Sequence, residues 1–321
     1  MLTDKFYQDV LLAPVKRGAT LYIVSGYATA AMAARHMQDI HKRREISDVK
    51  ICLIIGMTAK DGISETNHRG ICSLVKKPAH KHQFECRYIP EDQKPVHAKT
   101  YAWFDGGNPI CGFVGSANYT QSGFFSGQRE AVEKSSPREI LQYYKKMEKI
   151  SRPCSHADVQ GLIKEDEDAK YLREDSNGGD SGSGNMKSII SSLLDKSGNL
   201  PKRSGLNWGQ RPEARREPNQ AYIRLPVVIS RTGFFPARGQ HFTLHTDDGQ
   251  VMLCNIRQDD GKAIHSTQSN SIIGTYFRHR LGVPLGELVL KEHLLNYGRT
   301  DITFYKIDDE NYFMDFSVDN P

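Results

Sequence analysis

Ten residues in the middle of the chain, SNGGDSGSGN at 176–185, hold almost nothing that a core could bury, and they divide the sequence into two parts. Before them, apolar runs of strand length alternate with runs at helical spacing. LYIVS at 21–25 is a short apolar strand closed by Gly26, and 30–43 places Ala and Met at helical spacing before Lys and Arg. VKICLII at 49–55 is a second strand, 70–77 a helix, 84–89, 96–104 and 110–115 three more strands, and 137–150 a helix. Such alternation predicts an α/β domain over 1–175, a mixed sheet flanked by helices.

After a connection at 176–205 the texture changes. Residues 206–321 are β-rich, with predicted strands at 222–230, 241–246, 251–257, 287–290, 301–307 and 312–317. Turn signals such as DDG at 247–249 and 259–261 separate them, and one helix is expected near 271–281. Many short strands with tight turns predict a closed or nearly closed barrel. Trp208, in polar surroundings, is expected to pack into a domain interface. Acidic residues dominate 165–180 and Lys and Arg dominate 201–240, so the net charge of +5 is unevenly spread. A basic block opening a second domain suits a polyanion partner.

Composition narrows the function classes. At 38% hydrophobic and 25% charged, the chain reads as globular. No apolar run approaches the roughly 20 residues that span a bilayer, and MLTDKFYQDV lacks a signal-peptide core. No membrane partner is expected, and the cytoplasm is the expected compartment. The six cysteines have neither CxxC nor CxxH spacing, which predicts reduced core thiols, neither disulfides nor a zinc site. His241, His245, His265, His279 and His293 form no ligand set, so no metal and no cofactor is expected.

Two residue pairs carry chemistry. VHAKTYAWFD places His97 and Lys99 two apart, on one face of an expected strand. The next strand ends FVGSAN, with Ser116 and Asn118 again two apart. Either pair alone is common on solvated strands and turns. Together on neighbouring strands they give a phosphate pocket: an imidazole nucleophile, a cation for the non-bridging oxygens and two neutral donors. Gly112 and Gly115 are expected to let the backbone approach a ligand. Glu130, in QREAVE, is expected to return beside Asn118 and orient the imidazole.

HAK…GSANYTQSGFFSGQREAVE resembles the HKD signature of the phospholipase D superfamily, matching at His97, Lys99, Gly115, Ser116, Asn118, Thr120, Gly123 and Glu130. The signature's Asp position is held by Phe104; Asp105 follows one step later on the opposite face, so its role is not carried over. Residues 200–317, including FFPARG and GTYFRHRLGVPLGE, resemble phospholipase D-like type II restriction endonucleases of the NgoFVII and BfiI kind. The resemblance implies a phospholipase D-like N-terminal domain and a B3-like C-terminal barrel that reads duplex DNA through two arms in the major groove. It also implies sequence-specific, metal-independent cleavage through a phosphohistidine, with a cognate DNA methyltransferase and an accessory ATPase as candidate partners.

For DNA contact, RTGFFPARG offers Arg231, Thr232 and Arg238, and HSTQSNS offers Gln268, Ser269 and Asn270. Arg suits guanine and Asn or Gln suits adenine. Arg278 and Arg280 are as well suited to pairing with acidic neighbours. Because in-line transfer needs an attacking group and a proton donor on opposite sides of phosphorus, a chain with one motif is expected to work as a homodimer. Two other readings stay open: a lipid phosphodiesterase or transferase of the same superfamily, and a DNA-binding regulator that keeps an inactive nuclease fold.

Overall fold

The computed structural model describes residues 1–43, 45–76, 82–125, 129–165 and 187–318. The chain forms two compact units, Met1–Glu165 and Asp166–Pro321.

In the first unit a seven-stranded mixed sheet has the order β7-β6-β5-β1-β2-β4-β8. Its centre is parallel: β1 (Thr20–Ser25) lies beside β2 (Lys50–Ile55), and β2 beside β4 (Gln83–Tyr88). The other strands of this sheet, β5 (Lys99–Asp105), β6 (Asn108–Gly115), β7 (Val132–Ser135) and β8 (Arg152–Pro153), pair antiparallel, and β3 (Ile63–Ser64) and β9 (Ile163–Lys164) form a separate parallel pair. Leu21, Ile23, Ile51 and Ile54 are fully buried, as near-continuous apolar central strands require. Helix α1 (Ala30–His41) starts where Thr29 accepts from the Met32 N–H. The helix Pro137–Ile150 starts at Ser136, which accepts from Glu139 N, with Pro137 in its first turn. The helix expected at 70–77 begins earlier, at Glu65.

Two expectations change here. β5 begins at Lys99, so His97 precedes the strand instead of sharing its face with Lys99. Gly112 and Gly115 face the neighbouring strand, not a ligand. A Cβ on Gly112 would lie 2.7 Å from Ser135 O, and one on Gly115 would lie 2.2 Å from Ala131 O. Both positions are small because β6 and β7 run close together.

The second unit holds another seven-stranded sheet, in the order β10-β15-β16-β12-β13-β14-β11. Its members are β10 (Ser188–Ser192), β11 (Ile223–Arg224), β12 (His241–Thr246), β13 (Val251–Arg257), β14 (Ala263–Ser266), β15 (Asp301–Lys306) and β16 (Asn311–Asp315). The edge strands β10 and β11 meet through one side chain: fully buried Ser191 donates to the Arg224 carbonyl at 3.0 Å. The sheet thus curls into a nearly closed barrel around Phe242, Leu244, Phe304, Tyr312 and Met314.

Part of the expected connection, 176–205, belongs to this unit. β10 pairs with β15, and Leu193 and Leu200 are buried in the same core, while 166–186 lie outside the described residues. The alternating serines of SIISS had masked an edge strand. ELVL at 287–290 is not a strand, because Asn207 occupies its backbone: Asn207 Nδ2 donates to Val289 O (2.8 Å) and Val289 N to Asn207 Oδ1 (2.9 Å). Pro226 breaks the strand expected over 222–230, and Val227–Ser230 is a single helical turn. The helix Ser271–Leu281 forms as expected. From it Arg280 pairs with Asp247 at 2.7 Å, whereas buried Arg278 donates to the carbonyls of Glu287, Gly274 and Pro218. Trp208 packs inside this unit, against Tyr222 and His265 and under the Arg216 guanidinium (3.9 Å).

Candidate active site

The candidate site lies at the C-terminal ends of the parallel strands β1 and β2. A glycine follows each strand, and each glycine admits something a side chain would exclude. A Cβ on Gly56 would lie 2.0 Å from Val96 O, so the segment leading to His97 crosses directly over that backbone, tied by Val96 N to Gly56 O at 3.1 Å. A Cβ on Gly26 would lie 3.0 Å from His97 Cδ2 and 3.3 Å from Asn118 Oδ1. Gly26 therefore forms the floor against which the imidazole and the carboxamide meet.

His97 is exposed and Lys99 is buried beneath it. Lys99 Nζ donates to His97 Nε2 at 2.8 Å and to the His97 carbonyl at 2.9 Å. An ammonium can only donate, so Nε2 accepts and the ring proton sits on Nδ1. Burial lowers the Lys99 pKa from its ordinary value, and the Glu130 carboxylate opposes that fall. A buried cation thus stands at the imidazole.

Asn118 lies past the end of β6, and its amide is oriented by the chain. Tyr27 N donates to Asn118 Oδ1 at 3.1 Å, which leaves the Nδ2 hydrogens for another acceptor. Thr120 and Gly123 shape the turn that follows: Gly123 N donates to Thr120 Oγ1, and a Cβ there would lie 2.4 Å from Asn118 O. Ser116 accepts from Ala131 N at 3.0 Å and donates to a Glu130 carboxylate oxygen. Glu130 therefore holds the serine, not the imidazole it was expected to orient. β7 returns one strand beyond β6, which puts Glu130 beside Ser116. An open groove of about 570 Å³, lined in part by Lys94, Val96, Tyr143 and Met147, leads to His97.

Asp105 lies at the other end of β5, six residues or ~20 Å along the strand from Lys99, in a hairpin turn through Gly106 and Gly107. Phe104 is buried after a bulge between Trp103 and Phe104. Neither reaches the pocket. Sequence reasoning missed Gly26, Tyr27, Gly56 and Ser25, whose hydroxyl accepts from Tyr119 N at 2.9 Å and lies 3.4 Å from Asn118 Oδ1; the signal available was that a glycine directly follows both apolar strands, LYIVS and VKICLII. Among the described residues no three His, Cys, Asp or Glu side chains come together as a metal-binding group.

In the second unit, Arg231, Thr232 and Arg238 lie exposed on one loop, where Thr232 Oγ1 donates to Ile229 O and Arg238 pairs with Asp259 at 3.2 Å. Gln268, Ser269 and Asn270 follow β14. There Ser266 donates to the Ser269 carbonyl at 2.5 Å, and the Asn270 carbonyl accepts from Ala221 N. The first loop sits by the β13–β14 turn, since Gly239 N donates to Ile256 O. The two loops thus flank opposite ends of β14, a strand of four residues or ~13 Å, and do not form one cluster.

Comparison with known proteins assigns both units. Residues 4–161 match the family model of the NgoFVII restriction endonuclease N-terminal PLD domain, and residues 183–308 match that of the NgoFVII C-terminal B3-like DNA-binding domain. The molecule is a phospholipase D-type nuclease domain joined to a B3-like DNA-binding domain. The chain belongs to the NgoFVII family of restriction endonucleases, enzymes that hydrolyse DNA phosphodiester bonds. Among solved structures it is similar to Nuc from Salmonella typhimurium, a phospholipase D family member (17% identity, 45% of this chain, 87% of that chain, TM-score 0.33). It is also similar to NucT from Helicobacter pylori (20% identity, 47% of this chain, 96% of that chain, TM-score 0.30). No curated protein sequence matches.

Proposed function

We propose that this nuclease cuts specific DNA sequences through a covalent phosphohistidine on His97, in a site completed by a second copy of the chain. The observation that carries the reading is the bond from buried Lys99 to Nε2 of exposed His97. It fixes the tautomer whose Nε2 lone pair can attack phosphorus, with a cation already in place for the non-bridging oxygens. Nε2 forms a bond to phosphorus as the P–O bond to the leaving strand breaks. Water then attacks the phosphohistidine, breaking P–N and freeing the imidazole. Ser116 and Asn118 would hold phosphoryl oxygens, with Glu130 keeping the Ser116 hydroxyl in place.

The leaving oxygen needs a proton from the side opposite the attacking imidazole. One His97 cannot stand on both sides, so a homodimer would place a second His97 there as the acid. Lys99 already supplies positive charge, which supports catalysis without a metal ion. The second unit would supply the sequence preference, and the reading places the enzyme in the cytoplasm. A DNA methyltransferase would protect host DNA, and an accessory ATPase is a candidate partner. The test is cleavage of DNA carrying the recognition site in excess EDTA, by wild type and by His97→Ala. Wild type should cut at an undiminished rate and His97→Ala should bind without cutting. Activity that EDTA abolishes and Mg²⁺ restores would overturn the metal-free mechanism.

A further inference from the structure

We infer that Tyr27, latched by Asp61, is a positioning residue for His97, an inference that rests on the reading of His97 as the nucleophile. Neither residue belongs to the signature that marks the site. Tyr27 follows the floor residue Gly26, and its ring stands edge-to-face to the imidazole, with centroids 6.2 Å apart and planes at 81°. It is 41% exposed, so the core does not hold it in place.

A tyrosine that open to solvent would ordinarily sample several rotamers. Here its hydroxyl donates to Asp61 Oδ2 at 2.5 Å. Asp61 ends the short helix Thr58–Asp61 that follows β2, and Gly62 stops that helix at φ +71, where a Cβ would lie 2.7 Å from Leu162 O. The latch is therefore anchored in the chain. The hydrogen bond to Asp61, with burial a smaller contribution, raises the phenol pKa, so the hydroxyl stays a donor.

Both ends of Tyr27 then act on the site. Its main-chain N–H orients the Asn118 amide, and its ring limits how far the His97 imidazole can swing from Lys99. Because Nε2 must be aligned with the P–O bond that breaks, lost restraint should lower turnover more than substrate binding.

The test uses the full-length protein and bis(p-nitrophenyl) phosphate, a phosphodiester that reports the chemistry without DNA recognition. Rates of wild type, Tyr27→Phe, Tyr27→Ala, Asp61→Ala and Tyr27→Phe/Asp61→Ala are compared with His97→Ala as the baseline. Tyr27→Ala should lower kcat by about ten- to a hundredfold with KM little changed. Tyr27→Phe should keep more of the rate, because the ring remains. Tyr27→Phe/Asp61→Ala should be no slower than the slower single variant, because both substitutions open one latch. A purely structural role would instead lower the melting temperature and the active fraction while leaving the per-site kcat intact. That result, or full kcat in Tyr27→Ala, overturns the inference. Equal rates for wild type and His97→Ala would instead remove the nucleophile reading, and the inference with it.

Discussion

Lys99 is buried, and Nε2 and the carbonyl of His97 take two of its ammonium hydrogens. Lys99→Met should therefore reduce cleavage by about a hundred- to a thousandfold, the usual loss when one preorganised donor to a developing charge is removed. Lys99→Arg should restore little, since a planar guanidinium does not fit a site shaped for a point charge. Single-turnover cleavage measures both, and near wild-type activity in Lys99→Met would deny the lysine its role. The HxK and GSxN pairs were legible because they lie within short windows of sequence, but the shared strand face expected of them does not hold, since His97 precedes β5 and Ser116 and Asn118 follow β6. Tyr27 and Asp61 were not legible, because they reach His97 only through the adjacency of β1, β2 and β5, which no short window contains. Glu130, expected to orient the imidazole, meets Ser116 instead for the same reason: the order of strands, not their spacing, decides which side chain it reaches.

At the scale of elements, apolar runs and their punctuation gave most of the first unit. Failures came where polar residues do the work of a strand or cancel one. SIISS forms an edge strand whose serine closes the barrel, and ELVL forms no strand because Asn207 bonds its backbone. Ser191→Ala should destabilise the second unit by about 1–3 kcal/mol, since it leaves the Arg224 carbonyl without that donor. Denaturant titration measures this, and an unchanged midpoint would mean that the edges are held otherwise. A fragment beginning at residue 183 should fold and bind duplex DNA with affinity that falls as salt rises. One beginning at residue 206 should not fold, because it lacks β10 and the buried Leu193 and Leu200.

For the whole molecule, acid and symmetry give the useful tests. His36 is fully buried, bonded to Tyr119 Oη and to the Leu11 carbonyl, and burial pushes its pKa down to about 4. A folded-state pKa below the unfolded value means that the unfolded chain binds more protons between the two. The stability this neutral histidine contributes is thus complete above pH ~6.5 and lost as pH falls towards 4, to a total of ~3 kcal/mol. Melting curves of wild type at pH 7 and pH 5 should differ accordingly, and a flat profile would contradict the buried neutral state. Symmetry makes the second test: heterodimers of wild-type and His97→Ala chains should be almost inactive if each site needs two histidines. Half the wild-type rate would mean independent sites.

The most direct measurement looks for the covalent intermediate itself. Wild-type enzyme is mixed with cleavable DNA, quenched in alkali during the first turnover, digested and examined by mass spectrometry. A nucleotide-linked phosphoramidate should form on the peptide that contains His97, rising and then decaying as product appears. Cleavage that runs to completion with no adduct at any time, or with an adduct on another residue, would contradict the phosphohistidine mechanism.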